Sequence, residues 1–261
     1  MEEFINKYRE EIHGTLSGFD RLVFRGALRR LHYGRWDRNL QAMQGKPMRD
    51  PGSITYSAAI ESAAARDTNP DRSDFAERVL REATRRSFTQ APRCAVLGDG
   101  SAWIWNTAKE LFPQAIQILD RYHVKETLHR TAQAIFGATS QEAKPWAMAR
   151  CTELDDGRLS AIVHALRPHI SASNEATKCA TYIFRNRSRM RYPKFHSQGL
   201  CTSTGVLEAG CKIVIGTRLK RTGMHWTTCG ANAIIALRCA KLSGRFEEFW
   251  ERRAARLAPA A

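Results

Sequence analysis

No stretch of the sequence approaches the roughly 20 consecutive apolar residues that a membrane-spanning helix needs. The opening residues, MEEFINKYREEIHG, carry charge throughout and offer no apolar core of a secretory signal. A membrane role is therefore not expected, and a cytoplasmic protein with reduced thiols fits best. Cysteine is present but unpaired in pattern. The seven cysteines form no Cys-x-x-Cys spacing and are odd in number, which argues against a zinc ribbon or a disulfide framework. No glycine-rich loop is followed by the lysine and hydroxyl residue of a nucleotide-binding turn, which makes a nucleotide site a weak reading; no small-molecule substrate is expected. Acidic residues are scarce: 26 Asp and Glu face 41 Lys and Arg, a formal net charge of +15. An excess of that size points to a polyanionic partner, with nucleic acid the first candidate.

Three textures follow one another along the chain. Residues 1–45 place Leu22, Val23 and Phe24 in a short strand and Ala27 to His32 in a basic helix. Residues 46–75 read as a short alanine-rich helix between two turn signals, DPGS and TNPD. The pattern sharpens from Asp74. SDFAERVLREATRRSF has a polar start, apolar residues at helical spacing and its basic residues late, the marks of a capped amphipathic helix. CAVLG reads as a buried strand, SAWIWNTAKELF as a helix stopped by Pro113, and AIQILD as a second strand. Strand, helix, strand predicts parallel pairing in an α/β sheet. Residues 123–186 then read as four helices in succession. The tryptophans Trp103, Trp105 and Trp226 lie in apolar segments and are expected in the core. Residues 185–256 hold 15 Lys and Arg against four acidic residues.

The acids in this basic chain are the candidates for chemistry. Asp99 sits between Gly98 and Gly100 where a strand gives way to a helix, the usual ligand position in α/β sheets. The same residue is equally readable as a turn or capping aspartate. Asp120 ends the next strand with His123 three residues on, and it too reads as either a helix cap or part of a site. Glu208 is the one acid between residue 185 and Glu247. It is either a partner for Lys212 at i,i+4 or a metal ligand, with Lys212, Arg218, Lys220 and Arg221 holding phosphates along the same helix. Carboxylates gathered from separate segments around hard cations build two-metal phosphoryl-transfer sites.

At these residues the chain resembles a known family. From about Asp50 to Ala255 it is similar to the ISKra-type transposases of bacterial insertion sequences, of the DDE class. The phrases that carry the resemblance are DPGSITYSAAIESAAARDT, VLGDGSAWIWN, FPQAIQILDRYHVKETL, NRSRMRYPKF, GLCTSTGVLEAGCKIVIGTRLKRTGMHW and GANAIIALRCAKLSGRFEEFWERR. The resemblance implies a partial ribonuclease-H-like α/β domain with an all-helical insertion before the last catalytic acid. It divides the chain into a foreign N-terminal segment (1–45), the first part of the catalytic core (46–122), the helical insertion (123–186) and a basic C-terminal part of the core (187–261). It implies that Asp99 and Glu208 are the second and third acids, holding Mg²⁺ or Mn²⁺, and that Asp120 and His123 form the accompanying D-x-x-H motif. Arg189, Arg191, Lys212, Arg218, Lys220 and Arg221 are the expected DNA contacts. Partners would be transposon ends and target DNA, with the active enzyme a homo-oligomer. The family's first acid lies on an opening strand followed by glycine, which residues 1–45 lack; Asp20 is the one substitute in view.

Overall fold

A computed structural model describes residues 28–29, 54–60, 74–91, 93–220 and 225–257. The chain is mixed α/β, mainly helical, with a small parallel sheet, and it divides into two compact units. One comprises Pro92–Thr204 and the other joins Met1–Ala91 to Gly205–Ala261. The divisions thus fall at 91/92 and 204/205.

In the 92–204 unit, β3 (Ala95–Gly98) and β4 (Ile116–Leu119) pair in parallel, with Ala95 opposite Ile116 and Gly98 opposite Leu119. Between them runs α2 (Ala102–Leu111), which buries Trp103, Ile104, Trp105, Ala108 and Leu111. A crossover helix is what a parallel pair requires, because a tight turn cannot bring the second strand round in the same direction. Four helices follow: α3 (Arg121–Phe136), α4 (Ala143–Asp155), α5 (Leu159–Leu166) and α6 (Asn174–Asn186). On α3 the residues Val124, Thr127, Leu128, Thr131 and Ala132 form one buried stripe at helical spacing. Its buried hydroxyls are satisfied within the helix, Thr127 Oγ1 donating to the His123 carbonyl and Thr131 Oγ1 to that of Thr127. Ala132, Ala143 and Ala147 let α3 and α4 approach closely, flanked by Phe136 and Trp146. A 3₁₀ turn (Arg187–Arg189) then leads into α7 (Tyr192–Ser197).

The other unit holds β1 (Leu28–Arg29) and β2 (Ile54–Thr55), paired antiparallel, and α1 (Asp74–Arg85). From the C-terminal part come α8 (Gly205–Cys211), a π-helical turn (Lys212–Gly216), α9 (Thr217–Leu219), α10 (Thr228–Leu242) and α11 (Phe246–Leu257). Its core groups Ala58 with Val214, Ile215, Ile235 and Cys239. Two bonds tie the early segment to α10, the side chain of Asn232 accepting from the Ile60 amide at 2.7 Å and donating to its carbonyl at 3.1 Å. Glu82 is buried against Arg245 (2.9 Å) and Arg85 (3.1 Å). Burial alone would raise its carboxyl, but the Arg245 bond and the two positive charges outweigh burial and hold it below the usual value.

Leu28 and Arg29, expected within a basic helix over Ala27 to His32, form a strand instead, and the other residues of that expected helix lie outside the described residues. The strand's pairing with Ile54–Thr55 competes with the local helical preference. Residues 54–60 are likewise extended or irregular, where an alanine-rich helix was expected. Residues 46–53 and 61–73, together with Asp20 and the expected strand over Leu22 to Phe24, lie outside the described residues.

Candidate functional site

β3 and β4 end in step, and each is followed at once by an aspartate. Gly98 pairs with Leu119, the Asp120 amide donates to the Gly98 carbonyl at 2.7 Å, and Asp99 and Asp120 occupy the next position on each strand. Neighbouring strands in a ladder lie about 4.8 Å apart, so the pattern sets two carboxylate-bearing residues side by side at the C-terminal edge of the sheet. The two side chains differ sharply in environment.

Asp99 is exposed. Its Oδ1 accepts from the Ser101 amide at 3.0 Å, which turns the chain toward α2. The flanking glycines serve different ends. A Cβ on Gly98 would come within 2.8 Å of Ile104 Cδ1, so glycine permits the close approach of strand and helix. Gly100 has φ +100° and a Cβ there would meet Tyr182 at 2.9 Å, so both conformation and space call for glycine. The GDG segment is thus a close-packed turn that presents an exposed carboxylate.

Tyr182, from α6, closes over this turn. Its hydroxyl donates to the Asp99 backbone carbonyl at 3.3 Å. Burial pushes the phenol well above its ordinary value, and the nearby Asp99 and Asp120 carboxylates push it further the same way. Tyr192 is fully buried and donates to the Leu119 carbonyl at 3.1 Å, and its phenol is raised chiefly by burial.

Asp120 is buried and caps α3. Its Oδ1 accepts from the Tyr122 amide at 2.8 Å, and its Oδ2 accepts from the Thr204 amide at 3.1 Å and from the Thr204 hydroxyl. Three hydrogen bonds leave little of the carboxylate for a ligand. His123 lies one turn into α3, with Nδ1 3.6 Å from Glu126 Oε2. The D-x-x-H segment caps α3 and anchors the loop 200–204, where the Arg121 amide also donates to the Thr202 carbonyl.

The expected DNA contacts separate into groups. Arg189 turns inward, contrary to expectation: its Nε donates to Gln117 Oε1 at 2.8 Å, an Nη to Asn186 Oδ1 at 2.9 Å, and its guanidinium stacks on Trp105 at 4.4 Å. Burial lowers the Arg189 pKa. Arg191 is exposed in the same unit, while Lys212, Arg218 and Lys220 are exposed on the helical segment of the other unit, and Arg221 lies outside the described residues. Glu208 is on α8, also in that other unit. Trp103 and Trp105 are core residues, as expected, and Trp226 is half-buried.

A hard cation such as Mg²⁺ needs oxygen ligands, commonly one or two protein carboxylates with substrate phosphates. Asp99 is exposed and its Oδ1 accepts from the Ser101 amide, while Asp120 is buried and accepts from three donors. Among the described residues no three His, Cys, Asp or Glu side chains gather as a metal site. The described side chains do not by themselves fit a two-metal centre. Among the described residues no helix is long and apolar enough to cross a membrane. No family model, no curated protein and no solved structure matches the chain.

Proposed function

We propose that the chain is a DNA-acting protein of the DDE transposase type, its parallel pair being part of a ribonuclease-H-like core. The observation that carries this reading is the exposed Asp99 carboxylate at the C-terminal edge of the parallel strands, in a chain of net charge +15. A carboxylate held at a strand end by a glycine-flanked turn is where an α/β enzyme carries a reactive group. The basic segment from Arg185 onward supplies charge for DNA phosphates. By the family resemblance, the reaction is strand cleavage and transfer at transposon ends by a homo-oligomer, with Mg²⁺ or Mn²⁺ as cofactor.

A second reading has its own support. Asp120 is consumed by Tyr122 and Thr204, which favours a chain that binds DNA without cutting it. One experiment separates the two. Supercoiled plasmid carrying the element's ends is incubated with the chain and Mg²⁺ or Mn²⁺, beside an Asp99→Ala control. Metal-dependent nicking that vanishes in the control supports the enzyme. Salt-sensitive binding without nicking supports the binding protein, and a chain that neither cuts nor binds overturns both.

A further inference from the structure

The segment from Arg185 to Arg191, RNRSRMR, sets arginine at every second position. It spans the end of α6, the 3₁₀ turn and the start of α7. Its residues sort by burial. Asn186 and Met190 are buried and Arg189 is engaged with Trp105 and Gln117, so these three fasten the turn to the body of the unit. Arg185, Arg187, Ser188 and Arg191 are exposed and, with Leu159, line a cavity of about 540 Å³.

Several other cations of this unit are neutralised in ion pairs. Arg121 and Lys125 pair with Asp155, Arg150 with Glu153, Arg158 with Asp156, and Lys178 with Glu175. Arg185, Arg187 and Arg191 form no ion pair with any described residue. Arg187 is also preset: an Nη donates to the Phe184 carbonyl at 2.8 Å and the guanidinium lies 4.4 Å over the Phe184 ring. Fixing an arginine before binding lowers the entropy lost when it meets a ligand. A concave site with three unneutralised guanidiniums and a hydroxyl matches phosphate oxygens, which take paired N–H donors from arginine.

We propose that this cavity grips backbone phosphates of DNA, holding the duplex on the 92–204 unit through Arg185, Arg187 and Arg191. The inference rests on the DNA reading above and names one contact surface for it. Arg189 is then a positioning residue, directed inward so that its neighbours face out on a fixed turn.

The test measures binding of a labelled DNA duplex to the full chain across a salt series. Each neutralised phosphate contributes about 0.9 to the slope of log affinity against log salt. The triple variant Arg185→Gln, Arg187→Gln, Arg191→Gln is expected to bind at least about tenfold more weakly at 0.1 M salt, with the slope reduced by about 2–3. The corresponding triple lysine variant keeps most of the slope and loses several-fold in affinity, because charge remains while the paired donors do not. Circular dichroism checks that both variants fold, which their exposure favours. A glutamine variant that binds DNA with wild-type affinity and slope overturns this inference and leaves the DNA reading standing. A wild-type chain that does not bind the duplex overturns both. Displacement of DNA by millimolar inorganic phosphate at matched ionic strength overturns it too, by making the cavity a site for the free anion.

Discussion

Arg189 and Trp105 form a stacked pair, the guanidinium carbon 4.4 Å from the ring centroid, that fastens the 3₁₀ turn to the helix between the strands. The same arginine bonds Gln117 on β4. Replacing it with alanine removes the stack and leaves the Gln117 and Asn186 side-chain oxygens without their donor. We expect Arg189→Ala to destabilise the 92–204 unit by about 1–3 kcal/mol. Urea unfolding followed by tryptophan fluorescence measures this. An unchanged midpoint would mean that the pair holds nothing.

The two strand-end aspartates should separate in stability. Asp120→Ala removes the buried acceptor of the Tyr122 and Thr204 amides and the cap of α3, at an expected cost of about 1–3 kcal/mol. Asp99→Ala removes an acceptor from an exposed turn, for about 0.5–1 kcal/mol. Thermal unfolding of the two variants side by side checks the order. The order also matters for function, because loss of nicking in Asp99→Ala then reports chemistry and not unfolding.

The glycines on either side of Asp99 should fail for different reasons. Gly100→Ala puts a side chain at φ +100° against Tyr182 and is expected to cost about 1–3 kcal/mol, with no relief from neighbouring substitutions. Gly98→Ala crowds the Ile104 side chain most, with Trp105 in ordinary contact, so a second substitution, Ile104→Val, should recover part of its loss. A double-mutant cycle on 98 and 104 reads this coupling, and strictly additive effects would contradict it.

Tyr182 links the turn to alkaline pH. Its phenol is held above the ordinary value near 10, first by burial and then by Asp99 and Asp120, so the folded chain keeps this proton longer than the unfolded one. The contribution is fully present below about pH 10 and is lost as the pH rises through the raised folded value. Absorbance near 295 nm should show Tyr182 and Tyr192 ionising only with unfolding, and Tyr182→Phe should shallow the fall in stability above pH 10. Early, reversible ionisation of both phenols would contradict this.

Much of the 92–204 unit is legible in its sequence because local signals agree there. The apolar runs, glycine and proline punctuation, and the Asp120 and Ser173 caps mark β3, β4 and the helices to within a few residues. The positions of Asp99 and Asp120 at adjacent strand ends follow from the same reading. Their different fates do not, because Asp120 is claimed by Thr204, 84 residues away, and Tyr182 reaches Asp99 across 83. The inward turn of Arg189 was hidden for a related reason: Trp105 and Gln117 choose which arginine of an alternating set is taken inside. The π-helical turn over KIVIG carries no local mark either. Arg238, on α10, donates to the Ile213 and Val214 carbonyls of that turn and to the Thr217 hydroxyl, so the register is supported from a distant helix.

The bonds from Asn232 to Ile60 and from the Tyr56 amide to Ser243 join residues 172 and 187 positions apart. During synthesis the early segment leaves the ribosome long before α10 exists to receive it. The 92–204 unit lies wholly between these partners, so it is complete while residues 54–60 still wait. At about 5–20 residues per second, that wait lasts on the order of ten seconds or more. A ribosome that stalls before Ser243 therefore releases a chain with a finished middle and open ends, available to proteases and chaperones.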